Sequence, residues 1–330
     1  MASEAGIARV EIRSPARLHL GFLDLDGGLG RRFGSLGLTL DGIGVCLRMT
    51  RATTNSATGP DADRALAYLE RAAAALRLSG GAKLAIEETI PAHVGLGSGT
   101  QLGLAVAAGL ARLHGLDRSA ASLAMAVSRG LRSGIGIGAF DRGGFIVDGG
   151  RKCDSDPPPI VARQPFPPAW RVLLILDPSR AGLNGEAEAR VFAALPPFGS
   201  ALAGRLSRLV LLRLLPGLAE AEFASVSEAI GEIQDRLGDY FAGAQNGRYS
   251  SPAVGKALAW LRAEGIAGVG QTSWGPTGFA LLDSEAQACR VAAALRERSR
   301  DWRELAFRIV AGRNRGADIL SSASEGVINP

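Results

Sequence analysis

Ile90 to Ala108 reads IPAHVGLGSGTQLGLAVAA, and the reading of this stretch decides the fold. Ahead of it, Ala82 to Ile90 (AKLAIEETI) alternates apolar and polar residues and predicts a strand. Pro91 closes that strand, because proline has no amide hydrogen for a ladder. Gly95, Gly97 and Gly99 follow, with Leu96 and Ser98 between them, and an Ala/Leu-rich helix is predicted from there to about His114. Glycines let the backbone turn its amides inward, and the first helical turn adds its own unpaired amides. Together they make a cradle for an anion, above all a phosphate. The candidate phosphate-binding residues are Gly95, Leu96, Gly97, Ser98, Gly99 and Thr100. The plainer alternative is a Gly-rich turn capped by Ser98, but alternating glycines cost backbone entropy that an ordinary turn does not need. No Gly-Lys-Ser/Thr ends the run, so it is not a P-loop.

Upstream, Ile7 to Arg13 (IARVEIR) alternates as a half-buried strand, Ser14-Pro15 is read as a turn, and Ala16 to Leu25 (ARLHLGFLDL) as a second strand. Asp24, Asp26, Gly27, Gly28, Gly30, Arg31 and Arg32 then crowd one short segment. Glycine with aspartate is ordinary hairpin chemistry, whereas carboxylates beside arginines in one flexible loop also suit an anionic substrate. Leu36 to Arg48 reads as strand and Asp61 to Leu78 as helix.

Downstream, Asp117 to Arg129 reads as a helix. Gly134, Gly136 and Ala139 formally match a dinucleotide fingerprint, but a helix precedes them and the strand GGFIV follows, the wrong context for one. Asp154 to Ala169 is proline-rich and marks a domain boundary. The second half opens on the strand RVLLILDP from Arg171. Helices are predicted near Glu186 to Ala194, Ser200 to Leu215, Glu220 to Leu237, Pro252 to Glu264 and Gln287 to Arg298. Gly268 to Leu282 (GVGQTSWGPTGFALL) reads as short strands around a Gly/Ser/Pro loop, and Arg303 to Val310 as a last strand. Helices beside paired antiparallel strands make an α+β second half.

The 330 residues are 47% apolar but only 5% aromatic, so the core is aliphatic. No apolar run reaches the ~18 residues that span a bilayer. The start MASEAGIARV lacks the basic and apolar segments of an export signal. Cys46, Cys153 and Cys289 are odd in number and far apart, which suits a reducing compartment and no zinc site. A cytoplasmic protein without a membrane partner is expected. The net charge of +5 rests on arginine, since Lys83, Lys152 and Lys256 are the only lysines. Without a basic tract or aromatic-basic interleaving, nucleic acid is not an expected partner. Arginine does suit anionic small molecules.

Pro91, Gly95, Leu96, Gly97 and Ser98 resemble the Pro-x-x-x-Gly-Leu-Gly-Ser-Ser-Ala motif of the GHMP kinase superfamily (galactokinase, homoserine kinase, mevalonate kinase, phosphomevalonate kinase). After Ser98 the chain departs, with Gly99, Thr100 and Gln101 where the kinases have Ser-Ala-Ala. HVGLGSGTQ, with PARLHLGFLDLDG at the place of the superfamily's first motif, looks like one non-kinase branch, the β-ribofuranosylaminobenzene 5'-phosphate synthases. SWGPTG falls at the third motif. Many of the kinases carry a catalytic aspartate in Ser-Gly-x-Asp; matched to Ser133, Gly134 and Ile135, that position is Gly136 here. Homoserine kinases also lack this acid.

The resemblance implies an α+β, GHMP-type two-domain fold. Residues 1–160 would form a domain like ribosomal protein S5 domain 2 and residues 161–330 a ferredoxin-like domain, with the phosphate loop between them. It also implies a reaction: phosphoribosyl pyrophosphate joins 4-aminobenzoate, with loss of carbon dioxide and pyrophosphate, in tetrahydromethanopterin biosynthesis. A ring-carbon nucleophile has no hydroxyl proton to lose, so the missing acid is not needed. Charge stabilisation is needed. Asp24 is the candidate carboxylate near the sugar and Arg31 the candidate cation. His19, Arg32, His93, Gln101 and Trp274 are candidate substrate-binding residues, Trp274 by stacking. Mg²⁺ is expected through substrate phosphates rather than a protein ligand set, pyridoxal phosphate is not expected, and a homodimer is common in the family. The runner-up is an ATP-dependent small-molecule kinase of the same superfamily. A third reading, from another class, is a non-catalytic sugar- or nucleotide-sensing regulator.

Overall fold

The computed structural model describes residues 7–152, 156–182, 185–273, 275–298, 302 and 305–323. Its backbone begins with a long hairpin of β1 (Ile7–Asp24) and β2 (Phe33–Ala52). The turn expected at Ser14-Pro15 is instead a bulge in one continuous strand: Pro15 faces Gly44 and the register slips before Ala16. Proline cannot donate to a ladder, and a bulge removes the need. A second slip falls between His19 and Gly21, leaving Leu20 unpaired. Next come β3 (Ser56–Thr58), α1 (Ala62–Ala75) and β4 (Gly81–Glu88), then α2 (Ser98–Leu113), buried along most of its length. The shorter helices α3 (Ala120–Ala126) and α4 (Ile135–Asp141) lead to β5 (Phe145–Asp148) and β6 (Ile160–Gln164).

The chain continues through β7 (Arg171–Leu176), α5 (Gly185–Ala194) and α6 (Ser200–Leu209). The helix expected to run on to Leu215 changes to a π-helical turn at Val210–Leu214 before α7 (Leu215–Ala219). Pro216 is the reason: it has no amide for the Leu212 carbonyl and would collide with it in a regular helix. Then follow α8 (Phe223–Gln245), α9 (Pro252–Ala263), β8 (Val269–Gln271), β9 (Gly278–Leu282), α10 (Glu285–Glu297), β10 (Ala306–Ala311) and β11 (Asp318–Ala323).

The strands form a seven-stranded sheet, β11-β1-β2-β4-β3 with β5 on β2 and β6 on β5, and a four-stranded sheet, β10-β7-β9-β8. Neighbours in the second sheet are all antiparallel. Their order is that of a ferredoxin-like βαββαβ unit, with α9 and α10 laying Leu258, Leu261, Ala292 and Leu295 on Leu173, Ile175, Ala280 and Leu282. The division expected after residue 160 falls inside β6, which belongs to the first sheet, and β11 returns to that sheet from the far end of the chain. Without β11 one edge of β1 would stand unpaired. The protein is therefore α+β, in two units that share strands across the expected boundary. No helix among the described residues is long and apolar enough to cross a membrane.

Candidate active site

The segments singled out as motifs meet on one edge of β1. β11 covers that edge as far as Arg13. Beyond it, the Arg17 N–H donates to the Leu96 carbonyl (3.1 Å) and the His19 carbonyl accepts from the Ser273 N–H (3.1 Å). The loop 272–277 is in turn locked to the glycine loop. Thr272 Oγ1 donates to the Gly95 carbonyl (2.8 Å) and Thr277 Oγ1 to the Val94 carbonyl (2.7 Å). A Cβ on Gly275 would sit 2.7 Å from Gly95 Cα, so backbone lies directly on backbone.

Gly95 and Gly97 are left-handed (φ 82° and 87°), the conformation glycine was expected to supply. Gly97 caps α2, and its carbonyl accepts from Thr100 N–H (3.1 Å) and Gln101 N–H (3.0 Å). The Ser98 and Gly99 amides precede these bonds and have no carbonyl within the helix, leaving donors for an anion. Arginines flank the loop on both sides. Arg17 Nη1 donates to the Gly95 carbonyl (2.6 Å), and its side chain lies 3.0 Å from where a Gly97 Cβ would be. Burial draws its guanidinium down to about 10, with Glu188 acting the other way, so it stays charged at neutral pH. On the other side, Arg129 lies 3.2 Å from a Cβ position on Gly99, stacks on the Tyr68 ring (5.3 Å to the centroid) and donates to the Tyr68 hydroxyl. A cation at a helix N-terminus is at the unfavourable end of the dipole unless an anion joins it.

His19 lies on the Arg17 face of β1, two residues on, and is buried. Its Nδ1 accepts from the Gly21 N–H (3.3 Å) and meets the Ser273 hydroxyl (2.8 Å). Burial first, then the charge of Arg17, hold its pKa well below the ordinary value. The ring is therefore neutral with its proton on Nε2, a buried donor with no partner among the described residues. His93 is exposed at the loop entrance in a left-handed backbone (φ 59°), and its carbonyl accepts from the Gly182 N–H (2.6 Å).

Gln101 does not face a substrate. It is fully buried: its Oε1 accepts from Ser14 Oγ (2.6 Å) and its Nε2 donates to the Gly136 carbonyl (2.8 Å). Both ends are spent tying α2 to β1 and α4, which corrects its expected role. Asp24 lies seven residues along β1 from Arg17, roughly 20 Å in an extended strand. Its Oδ1 accepts from the Asp26 N–H (2.9 Å) and the Gly27 N–H (3.0 Å), shaping the hairpin tip. Arg31 donates to the Gly150 carbonyl (3.0 Å) and Arg32 to the Leu25 carbonyl (3.1 Å), the latter lying over the Phe33 ring. The hairpin tip is braced and stands apart from the glycine loop. Trp274 and Cys153 lie outside the described residues. His114 ends α2, where burial and then Arg51 lower its pKa; Arg51 donates to the Leu113 carbonyl at that helix end (2.6 Å), and Arg112 lies in the last turn.

Where a phosphotransferase of this fold could carry its acid, Gly136 packs against α2. A Cβ there would lie 2.7 Å from Thr100 Cγ2, so no aspartate enters without moving Thr100. The departure Gly99-Thr100-Gln101 and the missing acid are one feature: Thr100 fills the space and Gln101 binds the Gly136 carbonyl. Among the described residues no three of His, Cys, Asp or Glu converge on a metal position.

The chain is 32% identical to the β-ribofuranosylphenol 5'-phosphate synthase of Methanothermobacter thermautotrophicus, over 94% of this chain and 98% of the relative. The same-named protein of Archaeoglobus fulgidus is 31% identical over 94% and 99%. The chain belongs to the β-ribofuranosylphenol 5'-phosphate synthase family. Family models for the GHMP kinases N terminal domain and the GHMP kinases C terminal domain match residues 62–144 and 214–301. A homoserine kinase from Cytophaga hutchinsonii superposes with a TM-score of 0.66 at 15% identity, covering 97% of this chain and 99% of its own, a likeness of fold alone. Membership makes the chain an enzyme of the pentosyl-transferring kind.

The residues missed in the sequence are Arg17 and Arg129, which flank the glycine loop. Arg17 could have been found by strand alternation, since it shares a face with His19. Nothing local marks Arg129, which reaches the loop through the tertiary fold.

Proposed function

We propose that this enzyme transfers the 5-phosphoribosyl group of phosphoribosyl pyrophosphate to the carboxylate-bearing ring carbon of a para-substituted benzoate. The anomeric carbon loses its bond to the pyrophosphate oxygen and gains one to the ring carbon. The para substituent's lone pair drives that attack. The carbon–carboxylate bond then breaks, its electron pair restores the aromatic ring, and carbon dioxide leaves. No proton is removed, which is the requirement that the filled position at Gly136 meets; this is the observation that carries the reading. The amides of Ser98 and Gly99, with Arg17 and Arg129, are suited to the phosphate-bearing substrate. Mg²⁺ would be held through the diphosphate oxygens, whose charge it offsets.

The acceptor proposed from the motifs is 4-aminobenzoate; the name of the relatives contains a phenol, which points to a para-hydroxyl. Amine and hydroxyl both release electrons to the ring carbon opposite. The test supplies Mg²⁺, phosphoribosyl pyrophosphate and carboxyl-labelled 4-aminobenzoate or 4-hydroxybenzoate, without ATP. Labelled carbon dioxide and pyrophosphate in equal amounts are expected, and the better kcat/KM names the acceptor. Pyrophosphate without carbon dioxide would mean hydrolysis or ribosylation of the heteroatom. Product only with ATP and an alcohol would mean a kinase, and binding without turnover a sensing regulator.

A further inference from the structure

The hairpin tip engages the Asp24 carboxylate in its own turn, and α5 brings another carboxylate over β1. Phe192 of α5 packs edge-on against Phe22 (5.6 Å) and Phe33 (5.9 Å), and Phe22 meets the His19 ring (4.8 Å), which anchors this helix over β1 between His19 and Asp24, the register partner of Phe33. Glu188 is one helical turn from Phe192, about 6 Å along the axis. It pairs with Arg132 Nη1 (2.5 Å), and the Arg132 guanidinium in turn lies over the Phe192 ring (5.6 Å). Arg132 is the residue before the Ser133-Gly134 turn that opens α4, the helix whose Gly136 touches Thr100. Glu188 is thus held at the start of α4 by Arg132. It is also the carboxylate that opposes the drop in Arg17's pKa.

Resting on the phosphoribosyl-transfer reading, we infer that Glu188 is the carboxylate that faces the sugar, the part the motifs assign to Asp24. As pyrophosphate departs, positive charge grows on the anomeric carbon and ring oxygen, and a fixed carboxylate at that face stabilises it. Arg132 and Phe192 set its rotamer beforehand, so little reorganisation is left for the reaction. The pair with Arg132 holds it in place, and Arg17 is left for the phosphates.

The experiment compares Glu188→Gln and Asp24→Asn with the wild type, using phosphoribosyl pyrophosphate and the acceptor that turns over. Glu188→Gln is expected to lower kcat by ~10²- to 10⁴-fold with KM for phosphoribosyl pyrophosphate within a few-fold. Asp24→Asn is expected to keep kcat within a few-fold and to lower Tm. A Glu188→Ala variant carries a second readout: added formate should restore part of kcat, which no purely structural role would allow. Turnover of Glu188→Gln within a few-fold of wild type, or a fall in KM alone, would overturn the inference; the latter would make Glu188 a stand-in for a substrate anion. Wild-type protein inactive with either benzoate would overturn the reaction itself, and Glu188's role with it.

Discussion

Gly97 is where one side chain decides the most. Its left-handed φ of 87° and the Arg17 side chain 3.0 Å from a Cβ position leave no room for a β-branched residue. Gly97→Val should weaken phosphoribosyl pyrophosphate by ~10-fold or more, on ~1–3 kcal/mol of strain, while the benzoate is held unchanged. Calorimetric titration of both ligands checks this; equal weakening of both would remove the loop from the phosphate site. His19 carries a pH signature. Its folded pKa lies well below the ordinary value, so the unfolded chain binds a proton first as pH falls. Stability from this residue is complete above about pH 6.5 and is lost below it, on the order of 1 kcal/mol by pH 5.5. Denaturant unfolding of wild type and His19→Asn at pH 7.5 and 5.5 should show the larger loss in wild type. The glycines were legible in the sequence because their spacing has one backbone meaning. Gln101 is not legible in this way: a polar residue at the start of a cradle looks like a ligand contact, and only the fold shows both its ends already bonded.

Among the elements, α2 is held in place by that same glutamine. Gln101→Met keeps the bulk but leaves the Ser14 hydroxyl and the Gly136 carbonyl buried without the partner they have now. A loss of ~1–3 kcal/mol is expected by denaturant unfolding, with the m-value unchanged. Strands and helices with strong periodicity were readable: β4, α2, β7, α9 and α10 fall close to their expected bounds. β6 lay hidden in a proline-rich stretch, and β11 (DILSSA) is half polar with Leu320 exposed, since it lines an edge and buries little. Such strands exist because a neighbour needs its hydrogen bonds met, and a local pattern does not record that.

For the whole molecule, the shared sheet and the interlocked loops make the halves interdependent. Residues 1–160 on their own would lack β11 along β1, most of β6, and the loop 272–277 against Gly95. That fragment is expected to show no cooperative unfolding transition, while the intact chain unfolds in one step; calorimetry and circular dichroism on both would check it. A fragment that melted sharply and bound phosphoribosyl pyrophosphate would show the first unit to be self-sufficient.

The contact of Gly95 with Gly275 also limits how such a site could be altered or borrowed. A methyl group on either one runs into the backbone of the other, 2.9 Å or closer. Neither position can therefore drift first while its partner waits. A designer who moves the phosphate loop into another scaffold must carry the facing loop as well, like a lock moved together with its strike plate.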